Sequence, residues 1–326
     1  MPECQGEPIG SAASRNFLGR RAGGTGMGRL QRVYSETGMY FVTARTFQAR
    51  LLLTPSKQLN EIVGGVLARA VALSGIELHG YVVVSNHVHL LVTARGASLS
   101  IFMQYFLGNT ARKVGRLVGW TGAFWQRRFA AAPVLDDESA LTRLEYILAH
   151  GVKEGLVRTP ADWPGLSCLD SLQTGRSEVA RFFHWVRRWK KGALVEGGAN
   201  AWDDRWAEEL ELPLTRIPAW AALSQHEVGR RVQRMVDSIV STARETFLSV
   251  KGAKAVSREH PHRRPAQCKR SSQPLCHAAT KAARSDFREM ISRWVAAYSS
   301  ASASFRKKEW TVEFPPWAFR PPVPAG

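Results

Sequence analysis

The sequence is short of three things: long apolar runs, cysteines and acidic residues. A membrane-spanning helix needs roughly 18 to 20 consecutive apolar residues, and no stretch approaches that length, so we expect no membrane partner. The 4 cysteines are scattered through 326 residues, which favours reduced thiols over a disulfide framework. These two absences predict a cytoplasmic protein.

The shortage of acidic residues leaves a large positive charge. Only 27 Asp and Glu oppose 45 Lys and Arg, so the formal net charge is +18. A charge of this size says little about the fold but favours a polyanionic partner such as nucleic acid. We therefore predict a nucleic-acid partner.

Composition divides the chain into three regions. Residues 1–28 are rich in Gly, Ala, Ser and Arg and are predicted to form a flexible basic arm. Residues 30–170 carry strongly patterned segments and form the predicted main domain. Residues 171–326 are predicted to be a helical, basic extension that ends in a proline-rich tail.

The main domain alternates strand and helix patterns. Period-two runs of β-branched and aromatic residues predict strands, and apolar residues at three- and four-residue spacing predict helices. In chain order, strands are predicted at 38–46, 76–84, 87–93 and 132–135, and helices at 56–75, 98–118 and 139–152. This order is a ferredoxin-like split βαβ arrangement, an α+β fold with an antiparallel sheet and helices on one face, followed by one more helix.

Two histidines lie two residues apart in the predicted strand that starts at residue 87. Side chains at i and i+2 of a strand point to the same face, so His87 and His89 present two imidazoles side by side. Such a pair is half of a metal site, although two structural histidines would give the same pattern. On the last predicted helix of the domain, Tyr146 and His150 lie one turn apart and share a face, so His150 is a candidate third ligand.

Tyr146 is also a candidate nucleophile. A phenol can attack a phosphodiester when a cation polarises the scissile phosphate. Tyr105, on an earlier predicted helix, is the alternative tyrosine, and a structural role for Tyr146 is the other alternative.

A second pattern suggests contacts to nucleic acid. Residues 124–129 interleave aromatics with cations, and the predicted helix before them carries a basic stripe. Aromatics stack on bases, whereas guanidinium groups pair with phosphates; a buried aromatic cluster with solvated arginines is the alternative. The candidate DNA-binding residues are Trp125, Gln126, Arg127, Arg128, Arg112 and Lys113.

Four ordered motifs across residues 35–170 resemble the REP-associated tyrosine transposases, which belong to the HUH (His-hydrophobic-His) single-tyrosine transposases of bacterial insertion sequences. The motifs are Ser-Asn-His-Val-His-Leu-Leu-Val at 85–92, Phe-Trp-Gln-Arg-Arg-Phe at 124–129, the Tyr146 helix at 144–157, and Asp-Trp-Pro-Gly-Leu-Ser at 162–167.

The resemblance implies a HUH domain that cuts and rejoins single-stranded DNA near hairpins with Mg or Mn as cofactor. His87 and His89 match the metal-binding pair, and Tyr146 matches the tyrosine that forms a 5′-phosphotyrosine link. Position 150 is usually Asn, within Asn-Pro-Val, whereas this chain has His150-Gly151-Val152. A site of three nitrogens shifts metal preference from Mg toward Mn, Co or Zn. The resemblance also suggests a homodimer, because each active site supplies one tyrosine.

Two other functions fit the same motifs. The departure at His150 and Gly151 also suits a non-catalytic or domesticated DNA-hairpin-binding protein. A metal-dependent nuclease that uses water is the third interpretation.

The extension carries two further patterns. Basic and aromatic residues alternate at 181–191. A structural zinc site is the less favoured interpretation of the irregularly spaced set His260, His262, Cys268, Cys276 and His277.

Overall fold

The computed structural model describes residues 35–185, 204–266, 274–318 and 320–323. These residues all belong to one compact unit, Val33–Gly326. The predicted basic arm at 1–28 lies outside the described residues, and so do residues 186–191 of the basic and aromatic stretch.

A four-stranded antiparallel sheet forms the centre of the main domain. Its strands lie in the order β2-β3-β1-β4, the arrangement expected of a split βαβ fold. The α+β prediction is therefore confirmed. The strands are β1 (Thr37–Arg45), β2 (Glu77–Val84), β3 (His87–Arg95) and β4 (Ala130–Val134).

Local sequence signals explain where the first helices begin and end. Helix α1 (Lys57–Ser74) starts after Ser56, whose side chain accepts a hydrogen bond from the Leu59 amide, and it ends at Gly75 in the left-handed conformation that glycine tolerates. Helix α2 (Ser98–Leu117) has Ala97 at its N-cap position. The Ser98 hydroxyl accepts a hydrogen bond from the Arg95 amide, which precedes the helix.

Helix α3 (Asp137–Lys153) packs against β2 and β3. Asp136 caps it by accepting a hydrogen bond from the Ser139 amide, and Asp137 and Glu138 lie in its first turn, where negative charge suits the helix dipole. A Cβ atom at Gly80 in β2 would meet Leu144 of α3, so this residue faces α3.

The neighbouring residue in β2 points the other way. Tyr81 donates a hydrogen bond to Glu178 at 2.6 Å, in strand β5 (Glu178–Phe183). Strand β5 packs against α1, and α1 packs against α2. Because successive strand residues point to opposite faces, α1, α2 and β5 cover one face of the sheet and α3 covers the other.

The segment after α3 forms hydrogen bonds along the edge strand β2. Trp163 donates its indole hydrogen to the Val83 carbonyl at 3.1 Å, and the Val83 amide donates to the Leu166 carbonyl at 2.9 Å. The motif at 162–167 therefore covers the free edge of β2, which would otherwise expose unpaired backbone groups.

The extension is mostly helical, as predicted, but it also adds an unpredicted two-stranded sheet of β5 and β6 (Ala207–Leu212). Strand β6 alternates glutamate with leucine over only six residues, a weak strand signal. The helices of this part are α4 (Leu169–Thr174), α5 (Gln225–Thr246), α6 (Ala253–Ser257) and α7 (Lys281–Arg306).

The apolar core continues past residue 170. Buried Phe182, Trp220 and Val232 belong to the same cluster as the strands of the main sheet. The extension therefore adds to one continuous core. Among the described residues, no helix is long and apolar enough to cross a membrane.

Candidate metal and nucleophile centre

Three histidines meet on the α3 face of the sheet. Strand β3 carries His87 and His89, and α3 carries His150. Their exposed fractions are 7%, 5% and 2%. One nitrogen from each of them lies within 4.8 Å of the other two, so the fold brings together the three ligands that the sequence predicted.

A chain of hydrogen bonds fixes the roles of the ring nitrogens. His87 Nδ1 lies 2.5 Å from Asn86 Oδ1, which can only accept, so Nδ1 carries the proton and Nε2 has a lone pair. His87 Nε2 lies 2.7 Å from His150 Nε2, which therefore donates. His89 Nδ1 lies 2.9 Å from the Thr43 hydroxyl.

All three imidazoles are neutral at physiological pH. Burial lowers the pKa of His87 to about 3, and it lowers the pKa of His89 and His150 well below the ordinary value. The positive charges of Arg45 and Lys153 lower all three further. A neutral imidazole has the lone pair that a metal ion requires.

The residues present fit a divalent metal. His89 Nε2 and His150 Nδ1 are buried without a hydrogen-bond partner among the described residues, and buried polar atoms are normally paired. An ion would satisfy both atoms. The His150 proton now occupies the His87 lone pair, so a metal bound by His87 must displace that hydrogen bond.

Tyr146 lies directly beside this cluster. Its ring centroid is 5.3 Å from that of His89 and 5.4 Å from that of His150. Phe41 supports both rings, stacked on His89 at 5.1 Å and edge-on to Tyr146 at 5.6 Å. The structure thus brings Tyr146 to the three histidines.

Two cations flank the Tyr146 ring. Arg143 Cζ lies 5.2 Å and Lys153 Nζ 3.2 Å from its centroid. Burial raises the pKa of the phenol, and the Arg143 and Arg45 charges oppose that rise. Burial also lowers the pKa of Lys153 to about 8. Sequence reasoning missed Arg143 and Lys153. Arg143 precedes Tyr146 by three residues and Lys153 follows His150 by three, which places all four on one helix face.

Strand β1 contributes three more residues to the centre. Its register pairs Thr43 with His89 and Arg45 with His87, and Phe41, Thr43 and Arg45 share a face through the two-residue period of a strand. The Arg45 side chain makes no hydrogen bond or ion pair with any residue that the structure describes. Strand alternation was the signal that could have identified these residues.

Gly151 has a packing reason. A Cβ atom there would come within 2.8 Å of the Trp163 ring and 3.2 Å of Val157, closer than either allows. This chain has His150-Gly151 where the resembled family has Asn-Pro. These two residues leave α3 uninterrupted and let Trp163 pack against it.

The predicted DNA-binding residues fall in two places. One group lies next to the end of β1 in space, because the Gln126 amide donates a hydrogen bond to the Arg45 carbonyl at 2.9 Å. This group consists of Trp125, Gln126, Arg127 and Arg128. The Trp125 indole donates to the Leu107 carbonyl at 2.9 Å, and Gln126 and both arginines are exposed. This block lies beside the histidine centre.

Arg112 and Lys113 lie elsewhere, on α2 at the other face of the sheet. Lys113 Nζ donates to the Phe183 carbonyl at 2.5 Å, and burial lowers its pKa to about 7. Tyr105, the alternative tyrosine, lies in the same region, away from the histidines. The described part of the chain thus offers Tyr146 alone beside the histidines.

The second suggested metal set is not assembled. Among the described residues, His87, His89 and His150 form the only group placed to share an ion. His262 Nε2 lies 2.7 Å from the Val118 carbonyl, whereas His277 packs edge-on against Phe41 at 5.5 Å. Cys268 lies outside the described residues.

Comparison with known proteins gives one family. Residues 47–150 match the model of the family described as "Transposase IS200 like". No protein with a curated description matches the sequence.

Two solved structures are similar to part of the chain. The first is a REP-associated tyrosine transposase bound to a REP hairpin, with 21% identity and a TM-score of 0.39 over 45% of this chain and 85% of that one. The second is a candidate transposase from Deinococcus radiodurans R1, with 19% identity and a TM-score of 0.27 over 36% and 95% of the two chains.

The matched residues 47–150 include both histidines of β3, Tyr146 and His150. The resemblance to the insertion-sequence tyrosine transposases is thereby confirmed over residues 47–150.

Proposed function

We propose that this protein is a DNA strand transferase that cuts and rejoins single-stranded DNA near hairpins through Tyr146. One observation carries the proposal: the Tyr146 ring lies within 5.3 to 5.4 Å of the rings of His89 and His150. These imidazoles are neutral and buried, two of their nitrogens lack partners among the described residues, and the family match covers every one of these residues.

His87, His89 and His150 would hold a divalent metal, Mg or Mn. Bound there, it would withdraw charge from one phosphate of the DNA and act as a Lewis acid. Three nitrogen ligands favour Mn over Mg, because imidazole suits the softer ions better.

The protein's own side chains orient the nucleophile. Phe41 and the cations of Arg143 and Lys153 hold the Tyr146 ring on two sides. Positive charge from Arg143 and Arg45 favours the phenolate over the phenol and can also pair with the non-bridging oxygens of a phosphate.

In the cleavage step, Tyr146 Oη forms a bond to phosphorus and the bond from phosphorus to the 3′-oxygen breaks. The phenol proton leaves to water, and the departing 3′-oxygen takes a proton from water. The products are a 5′-phosphotyrosine and a free 3′-hydroxyl. A 3′-hydroxyl attacking the phosphotyrosine reverses these changes and rejoins DNA without an added energy source.

The exposed block of Trp125, Gln126, Arg127 and Arg128 would guide the strand to the centre, since it begins beside Arg45. Aromatic stacking combined with phosphate pairing is how single strands are held. A protein acting this way would work on the nucleoid in the cytoplasm, and two coupled strand ends would call for a homodimer.

The decisive experiment looks for a covalent link. The protein is incubated with end-labelled single-stranded hairpin DNA and Mn, then denatured and separated by size. We expect an adduct that Tyr146→Phe reduces by at least about 10⁴-fold, since the variant lacks the nucleophile. Tyr298→Phe, on α7, is the matched control and should retain the adduct.

Each other outcome points elsewhere. Cleavage without an adduct would indicate a nuclease that uses water. Binding without cleavage would favour the hairpin-binding interpretation, which has one observation in its support: the His150 proton occupies the lone pair that His87 would give to a metal. An adduct that survives Tyr146→Phe would refute the assignment of the nucleophile.

A further inference from the structure

A second charged site lies on the face of the sheet opposite Tyr146. It is a cleft of about 320 Å³ between α1, α2 and β5, and we call it the basic cleft. Its volume is at the lower end of the range for small-molecule sites, roughly 300 to 1,000 Å³. Its lining is cationic and aromatic, and includes Arg69, Tyr105, Arg112, Lys113, Arg116 and Phe182.

The inner wall of the basic cleft is held in place by its own contacts. Lys113 Nζ lies 4.2 Å from the Phe182 ring centroid and also donates a hydrogen bond to the Phe183 carbonyl. Arg69 Cζ lies 5.4 Å from the same ring, and Arg69 donates to Glu208 at 2.5 Å. An aromatic wall and two cations that are already held in place can receive a ligand without first ordering their side chains.

The outer rim keeps positive charge available. Arg112 and Arg116 are exposed on α2, and Arg112 is oriented by a hydrogen bond to Asn109 at 3.1 Å. Arg116 pairs with no side chain in the part of the chain that the structure describes. Glu208 is bound by both Arg69 and His184, so its negative charge is already paired and the two exposed rim arginines favour an anion.

We infer that the basic cleft binds a segment of single-stranded DNA, with the rim arginines on a phosphate and the aromatic residues against the adjoining base. Cations that follow the backbone beside rings that stack on bases are the two elements of single-strand recognition. The inference extends the proposed function, because it gives the same DNA a second contact on the far side of the sheet. DNA that reaches both sites must pass around an edge of the sheet.

The test measures binding without chemistry. A fluorescent single-stranded oligonucleotide is titrated with the full chain carrying Tyr146→Phe, and affinity is followed by anisotropy across a salt series. The cleft variant adds Arg112→Ala and Arg116→Ala. The control adds Arg293→Ala and Arg306→Ala on α7, which removes the same charge from an exposed helix.

We expect the cleft variant to lose at least about 10-fold in affinity. The slope of log affinity against log salt should shrink by about 0.7, since both arginines contact one phosphate and each single-strand phosphate contact contributes about 0.7. The control should change neither value appreciably. Equal losses in the two variants would overturn the inference, because they would show a general charge effect. Unchanged melting temperatures exclude unfolding as the cause.

An abasic oligonucleotide of the same length tests whether bases are bound. Trp185 also lines the basic cleft. If the cleft holds a base, Trp185→Leu should weaken binding of the normal strand at least about 5-fold, as expected for loss of stacking, and leave the abasic strand unaffected. If the intact protein bound the normal and the abasic strand equally well, the cleft would bind only the phosphate backbone and the inference would be wrong.

Failure of the proposed function would look different. Adduct formation by the intact chain is scored separately, so a protein that forms no adduct but shows the cleft effect would retain the second site. A protein that forms the adduct but shows no cleft effect would retain Tyr146 chemistry alone.

Discussion

The histidine centre and the basic cleft lie on opposite faces of one sheet. They differ in charge: the imidazoles of the centre are neutral, whereas the arginines of the cleft are charged. In the centre, burial lowers the pKa of every imidazole, so the side chains offer lone pairs. In the cleft, the rim arginines stay exposed and keep their charge free for phosphate. The two proposed roles are accordingly chemistry for the centre and capture of the strand for the cleft.

Of the substitutions that test this difference, removing an imidazole from the histidine centre should have the largest effect on cleavage. His89→Ala takes away an unpaired buried nitrogen, and we expect metal-dependent cleavage to fall at least about 100-fold, beyond the usual loss for groups that only orient ligands. Single-turnover cleavage at saturating DNA checks the rate, and anisotropy should show nearly unchanged binding.

His79→Ala is the control for that substitution. His79 is as buried as the ligands, but both of its nitrogens are already bonded, to the Thr215 carbonyl and the Thr93 hydroxyl, each at 2.8 Å. It should destabilise the fold and leave the cleavage rate of the folded fraction intact. Equal rate losses in the two variants would contradict a specific role for the centre.

A smaller effect is expected from the cation beside the nucleophile. Arg143→Ala removes the guanidinium above the Tyr146 ring, and cleavage should fall roughly 10- to 100-fold, somewhat less than the loss of a dedicated transition-state donor. Single-turnover rates at saturating DNA measure it, and Arg143→Lys should restore part of the rate. If Arg143→Ala weakened DNA binding as much as it slowed cleavage, the separation of chemistry from capture would fail.

The smallest effect concerns stability and pH. The pKa values of the buried histidines, including His79 and the three of the centre, lie below the unfolded value of 6.5 in the folded protein. As pH falls below 6.5, the unfolded chain takes up protons that the folded chain does not, so stability is present above that pH and is lost below it.

Each such histidine contributes at most about 1.4 kcal/mol per pH unit. Melting temperatures measured between neutral and mildly acidic pH should therefore fall on acidification. His79→Gln should make the fall shallower, with the same substitution at exposed His226 as control. A melting temperature that does not depend on pH would show that these imidazoles are not held neutral by the fold.

Much of the main domain could be predicted from local sequence. The capping by Ser56, the stop at Gly75 and the tight turn before His87 are encoded within a few residues. The sheet of β5 and β6 could not be, because its strands are separated by more than twenty residues and pair only through long-range packing.

The sequence by itself determined two pairs of candidate residues: a two-residue strand period pairs the β3 histidines, and a four-residue helix period joins Tyr146 to His150. Only the tertiary structure decided that α3 lies over β3, because contacts between distant segments follow from packing and not from local periodicity. The same packing buried the imidazoles, placed Arg143, Lys153 and Phe41 around the phenol, and separated Arg112 and Lys113 onto the opposite face.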